Sequence, residues 1–530
     1  MSKDRTKFAI WNYATSLLFT AATLVLGLFA SKMIKEWIGD ERFGASRTLT
    51  DCFGYLVLLE LGLSGAMGPL LARALGQGDR AALRDTLSAG MRSYLGVTVL
   101  ILAAGLALTG GITWFVPVSP ELVPDLRLAC FAALLGVSTF VLLPFRSLAD
   151  AAQRGFRINL LLTAQGVLIT VATVGLVWHF PQWGITLQAL VISIATTTFA
   201  VILCWDGLKP HPGLLREAIK ARPGRETWKS LWSLSLPTLL LLVCGRLSLY
   251  TDNIILGKSL NQVMVSRLYF TQRLAVIVSM QLLNIGNACW AGLAELHAQG
   301  EHEAFRRRVE ELMRLVAILA LAALGPVLAY SRHFVSLWVG PEDYGGDLVV
   351  LAASINAFLM PLLSLAGWCL TGTGKVRRLA LPSIFATAIN LSASIALTRS
   401  IGMAGPLLGT TIDLLGFQVW VYLYLLHREF GIAPGRLIRA VLVPIAWGVP
   451  YVAALWWLAH VHEPPGWIAL GAEMGLAGLS FLLLSGLLIL KPEERAVWRD
   501  RIGRLLRPAR ALAATFGITS APTDPPDRPA

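Results

Sequence analysis

The chain has 530 residues, 55% of them hydrophobic and 15% charged, with a mean hydropathy of +0.64. That balance excludes an ordinary soluble domain, because a chain so poor in charge has lipid as its main solvent. The net charge of +13 does not point to nucleic acid, since the basic residues are sorted by side of a membrane rather than gathered into a patch.

Fourteen apolar stretches lie near or above the roughly 20 residues that a bilayer-crossing helix needs. They run over about 8–31, 44–72, 93–118, 128–145, 158–180, 184–205, 231–257, 262–294, 315–330, 348–371, 379–398, 402–426, 437–459 and 467–490. With an inside N-terminus, the inner loops hold 34 Lys and Arg and the outer loops 7, with four arginines inside helices. Both termini are therefore expected on the cytoplasmic side. Cys52, Cys130, Cys204, Cys244, Cys289 and Cys369 each fall inside one apolar stretch without CxxC spacing, so they read as packing residues.

In chain order, the first stretch stands behind Lys3, Arg5 and Lys7; it is too long for a cleavable signal and is expected to stay as an anchor. Asn12, Ser16 and Thr23 share one of its faces. The second stretch leads into LARALGQGDRAALRDTLSAGMR at 71–92, and residues 293–314 read LAELHAQGEHEAFRRRVEELMR. At an offset of 222 without a gap, 8 of these 22 positions are identical, among them Gln77/Gln299, Gly78/Gly300 and Arg92/Arg314. The chain thus holds two copies of one unit.

Residues 206–229, with three prolines and six basic residues, read as a cytoplasmic linker carrying a short interfacial helix near 213–221. A second unit with six crossings then starts in the same orientation, so the two copies should be related by an axis along the membrane normal. Helices 13 and 14 have no partner in the first half. Beyond them, Arg495, Arg499, Arg501, Arg504 and Arg507 alternate with apolar residues over 491–515, the pattern of a basic amphipathic helix on the inner leaflet, followed by a Pro-rich disordered tail. The expectation is an all-α polytopic membrane protein. Residues 1–205 and 230–430 form two six-helix bundles about a pseudo-two-fold, 206–229 the linker, 431–490 two extra helices, and 491–530 the amphipathic helix and tail.

Conventional catalytic signatures are missing. TGTGK at 371–375 fails as a phosphate-binding loop because position 369 is Cys where the motif needs Gly. Gly62, Gly65 and Gly68 read as helix packing. His460, His462 and Glu463 lack a further well-spaced ligand, so no metal site is expected. The longest outer connection, about 331–347, is too short for a catalytic domain, which argues against a membrane glycosyltransferase or polymerase.

Ionisable residues at membrane depth carry the remaining information, because they are costly and usually face the protein interior or a hydrated path. Helix 2 has Arg47, Asp51 and Glu60; helix 7 has Arg246 and Asp252; helix 8 has Arg267 and Arg273; Asp413 and Glu473 lie further on. Arg47 and Asp51, four apart, either pair structurally or belong to a site. Asp51 and Arg273 occupy equivalent positions of the repeat and are expected to face each other across a central cleft. On helix 8, Arg273, Asn284 and Asn287 lie within about 40° of one face; on helix 7, Arg246, Tyr250 and Asn253 are neighbours. Arginine forks followed by amides and hydroxyls suit a ligand with an anionic diphosphate and a sugar. Interior asparagines also serve simply to tie helices together.

Gly39, Glu41, Phe43, Gly44, Gly54, Leu61, Gly62, Leu63, Ala72 and Arg73, with SLWVGPEDY at 336–344 and IGMAGPLLGTTI at 401–412, resemble the polysaccharide-transport branch of the multidrug/oligosaccharidyl-lipid/polysaccharide exporter superfamily. The resemblance covers about residues 8–430. Ala45-Ser46-Arg47 departs from it, since members commonly carry an aromatic residue there. The resemblance implies a flippase of the bacterial inner membrane that moves a polyprenyl-diphosphate-linked oligosaccharide by alternating access, for O-antigen or exopolysaccharide. It implies no covalent chemistry and no cofactor, with proton or sodium left open as coupling ion, and membrane lipids and the polysaccharide polymerase machinery as partners. Arg47, Asp51, Arg246, Tyr250, Asn253, Arg267, Arg273, Asn284 and Asn287 are the candidate substrate-binding residues. A drug/cation antiporter of the same superfamily, relying on Asp51, Glu60 and Asp413, is the alternative.

Overall fold

The computed structural model describes residues 20, 22–60, 62–151, 155–489 and 495. Lys3, Arg5, Lys7, Asn12 and Ser16, the amphipathic helix expected over 491–515 (Arg495 excepted) and the tail lie outside the described residues, as does the side chain of Tyr250. Among the described residues the protein is entirely helical. Helices suit a bilayer, since each satisfies its backbone groups within the segment.

The first half runs through α1 (22–38), α2 (Asp40–Leu56), α3 (Leu63–Gln77), α4 (Arg80–Phe115), α5 (Val123–Val137), α6 (Leu143–Ala151), α7 (Gly155–His179) and α8 (Gly184–Leu208). A short α9 (Leu214–Lys220) follows within the linker, docked by Arg80, whose guanidinium donates to both carboxylate oxygens of Glu217 at 3.2 and 2.7 Å. That fork holds the Glu217 carboxyl below its ordinary range. The second half is α10 (Arg225–Ser259), α11 (Gln262–Ala298), α12 (His302–Trp338), α13 (Asp347–Gly372), α14 (Arg377–Ile401), α15 (Gly405–Asp413) and α16 (Val419–Phe430), with α17 (Pro434–Val461) and α18 (Trp467–Leu488) after it.

The repeat extends far beyond the stretch in which it is legible. α7 and α14 are displaced by 222 residues at both ends, and α4 and α12 share their starts at the same offset. The local reasons recur as well: Gly78 and Gly300 each end a helix with a positive φ, 66° and 77°, the left-handed cap that glycine adopts without strain.

Eleven helical segments among the described residues are long and apolar enough to cross a membrane. Eleven of the fourteen expected stretches correspond to these; the other three fall on α1, α2 with α3, and α10, and most of the first, 8–31, lies outside the described residues. α10 carries Arg246, Asp252 and Lys258 along its length. Two expectations of the sequence are corrected. The stretch 44–72 is not one helix: α2 tightens into a 3-10 turn at Val57–Glu60 and the chain resumes as α3 after Gly62, at φ 70°. A Cβ on Gly62 would lie 2.6 Å from the Ser235 carbonyl oxygen, so close approach to α10 accompanies the break. The stretch 315–330 is only the apolar part of α12, which begins at His302 because its charged first turns stay helical outside the lipid.

Loops at 39, 116–122, 180–183, 260–261, 339–346, 402–404 and 462–466 lie at one face, and the loop 299–301 at the other. The two halves meet at the 339–346 face. Here Phe43 of α2 stacks on Phe270 of α11 at 5.0 Å, Phe270 meets Trp338 edge-on at 5.0 Å, and the Trp338 indole donates to the Leu28 carbonyl at 3.2 Å. A Cβ on Gly44 would lie 1.8 Å from the Gln262 carbonyl oxygen; only glycine lets α2 and α11 come this close. α17 and α18 both pack on α12, the most enclosed of the spanning helices.

Candidate functional site

Where α2 crosses α11, the Arg47 guanidinium carbon lies 4.5 Å from the centroid of the Tyr269 ring and 4.7 Å from that of Phe43. The Arg273 guanidinium lies 5.2 Å from the same Tyr269 ring, and against α1, where a Cβ on Gly27 would sit 3.5 Å from an Arg273 terminal nitrogen. Tyr269 stands 222 residues after Arg47. Two repeat-equivalent side chains in direct contact place this stack where the copies meet.

Arg47, Arg267 and Arg273 form no ion pair among the described residues, and each keeps a buried Nε without a hydrogen-bond partner. The local pairing of Arg47 with Asp51 is therefore not made. Asp51 instead accepts from the Asn253 amide of α10 at 2.7 Å, because α10 packs on α2 at this level and its amide can meet the carboxylate head-on. Arg47 turns to the rings, where a desolvated cation–π contact is worth about 2 kcal/mol. Nor do Asp51 and Arg273 pair, although both border this crossing.

The other candidates divide. Asn253 ties α10 to α2. Asn284 and Asn287 are exposed and donate to no protein group among the described residues, so their amides are open to a ligand. Arg246 is part-exposed on α10, about 10 Å along the axis from Asn253.

Sequence reasoning left three residues out of the site. Tyr269 is a ring where repeat logic sought only charges, yet the offset from Arg47 would have found it. Phe43 was read as a family mark, not as one face of a cation box. Asp252, adjacent to Asn253, keeps a buried oxygen without a partner; nothing in its neighbours along the chain signals that. In the second half, Asp413 accepts from Gln418 at 2.6 Å across a π turn at Leu414–Gln418, and Asn390 donates to Thr410 at 2.9 Å. Such turns interrupt helices mostly where function needs an open carbonyl or side chain.

This architecture is shared with solved structures. It superposes on the lipid II flippase MurJ in an inward closed conformation with a TM-score of 0.67 at 12% identity, over 89% of this chain and 100% of that one. It also matches a multidrug resistance MATE family transporter of the MOP superfamily, at 0.61 in the inward-facing conformation (15% identity, 84% of this chain, 98% of that one). The outward-facing conformation matches at 0.52 (13% identity, 84% and 96%). The chain has the fold of MOP-superfamily transporters. No family model and no curated protein sequence matches it. These neighbours are transporters and a flippase.

Proposed function

We propose that this chain is a flippase that carries a polyprenyl-diphosphate-linked oligosaccharide across the bacterial inner membrane for O-antigen or exopolysaccharide assembly. The observation that carries the reading is the pair of guanidinium groups, Arg47 and Arg273, held on one Tyr269 ring with no ion pair to a carboxylate among the described residues. A charge at membrane depth costs at least roughly 2.5 to 3.5 kcal/mol on insertion scales, so it persists where an anion or water completes it. A diphosphate would take the forks, and the free amides of Asn284 and Asn287 would meet sugar hydroxyls.

In this reading residues 1–205 and 230–430 are two six-helix units about a pseudo-two-fold, joined by 206–229, within fourteen crossings. The basic segment 206–229, and the loop 299–301 with Arg306, Arg307 and Arg308 of α12 beside it, face the cytoplasm. Closure at the 339–346 face then makes this the inward-facing state, in keeping with the better match to the inward-facing than to the outward-facing transporter. Transport proceeds as the units rock and the 339–346 face opens, driven by a proton or sodium gradient. Purified protein in liposomes should move a labelled prenyl-diphosphate sugar, and Arg273→Gln should abolish this while leaving the protein inserted.

A drug/cation antiporter is the second reading. Asp252 and Asp413, each with a buried carboxylate oxygen left without a partner, favour it as groups able to hold a cation. Cation-driven drug movement in the same liposomes, without movement of the lipid-linked sugar, would establish it instead.

A further inference from the structure

At the 299–301 face, away from the arginine stack, a cavity of about 270 Å³ opens between the end of α11, the first turns of α12 and the end of α16. Its walls are His297, His302, Phe305, Arg306, Glu429, Phe430 and Gly431. The volume is just below that of drug-sized ligand pockets, which run from about 300 Å³ upward, so it suits a small group.

The polar groups around it are mostly fixed by protein partners. Arg306 donates through Nε to the Phe430 carbonyl at 2.8 Å and through a terminal nitrogen to Glu303 at 3.3 Å. Glu429 is shared by Lys375 at 3.3 Å and Arg378 at 3.4 Å, and the Lys375 ammonium stands 4.4 Å from the Phe430 ring. Three full positive charges thus face two carboxylates. Into this surplus come two imidazoles, His297 and His302, with ring centroids 5.3 Å apart. The Nδ1 of His297 is buried without a partner, held edge-on to Phe430 at 5.3 Å.

The repeat shows that the scaffold does not require this chemistry. At the offset of 222, His297, Phe305 and Phe430 correspond to Leu75, Leu83 and Leu208, which join the aliphatic packing of the first half. The same helix junction is closed by leucines in one copy and lined by imidazoles in the other.

We propose that this cavity binds a phosphate group, with Arg306, His297 and His302 donating to its oxygens and Phe305 and Phe430 excluding water from one side. The phosphate is either that of a soluble ion or ester, or the headgroup of an anionic lipid in the adjoining leaflet. Occupancy would clamp the ends of α11, α12 and α16 together.

The test measures Tm of the full-length protein in two settings. Detergent-purified protein is titrated with inorganic phosphate against sulfate-free chloride at constant ionic strength. In parallel, protein in phosphatidylcholine nanodiscs is compared with and without phosphatidic acid. The variant is His297→Leu with Arg306→Gln; His297→Leu alone, which restores the first-half residue, guards against misfolding. Wild type should gain about 2 °C or more, and both variants should lose most of that gain. A gain with inorganic phosphate assigns a soluble source, and a gain with phosphatidic acid alone assigns the lipid. No gain in either setting, or the same gain in wild type and both variants, overturns the site.

Discussion

Asp343 is the residue on which closure of the 339–346 face should turn. Its Oδ2 accepts from the Lys35 ammonium at 2.5 Å, while Lys35 also stands 3.5 Å from Asp40, and the two side chains are 1% and 11% exposed. The other Asp343 oxygen has no partner among the described residues, so the Lys35 ammonium is the polar contact of Asp343 with α1, beside the apolar cluster in which Val339 packs with Ile34 and Ile38. Removing one member of a buried pair costs about 3–5 kcal/mol. Asp40 remains beside Lys35, and an asparagine oxygen can still accept, so we take about 1.5–3 kcal/mol for Asp343→Asn. At 1.4 kcal/mol per tenfold, that is a factor of about 10 to 150 in the closed-to-open ratio. An open state populated at about 1% would rise to between about 10% and 60%. Spin labels at Glu36→Cys and Glu342→Cys, in a background free of the six native cysteines, read this as a longer distance component by pulsed electron resonance. Distance distributions of Asp343→Asn and Lys35→Met that both superpose on the parent would refute the reasoning.

Gly44→Ala should prevent α2 and α11 from closing, since its methyl would meet the Gln262 carbonyl at 1.8 Å; cross-linking across the 339–346 face should fall, and unchanged cross-linking would argue against the contact. Arg47→Gln and Arg273→Gln should leave membrane abundance near the parent while export is lost, with Arg→Lys partly active because the charge survives and the fork does not. Loss of protein in step with activity would instead mark these arginines as structural. Cysteines at Glu342 and Arg216, both exposed, should label from opposite sides of the membrane; labelling of both from outside would sink the proposed orientation.

Class, helical succession and repeat were legible along the chain. In lipid each crossing must satisfy its own backbone, so hydrophobic length translates almost directly into a helix. A duplication written twice in one chain carries its register with it, and the offset of 222 read from residues 71–92 also locates the ends of α7 and α14. Tertiary structure alone decided which charges are neutralised. Arg47 and Asp51 sit at a spacing that permits a pair, yet Asn253, 202 residues away, takes the carboxylate and Tyr269 takes the guanidinium. The break between α2 and α3 likewise reflects the backbone of α10 pressing on Gly62. Closure at the 339–346 face depends on Gly44 meeting Gln262 and Lys35 meeting Asp343. Each of these outcomes rests on how closely helices distant in sequence approach and which side chain arrives first. Periodicity and spacing along a single helix hold no record of that distance.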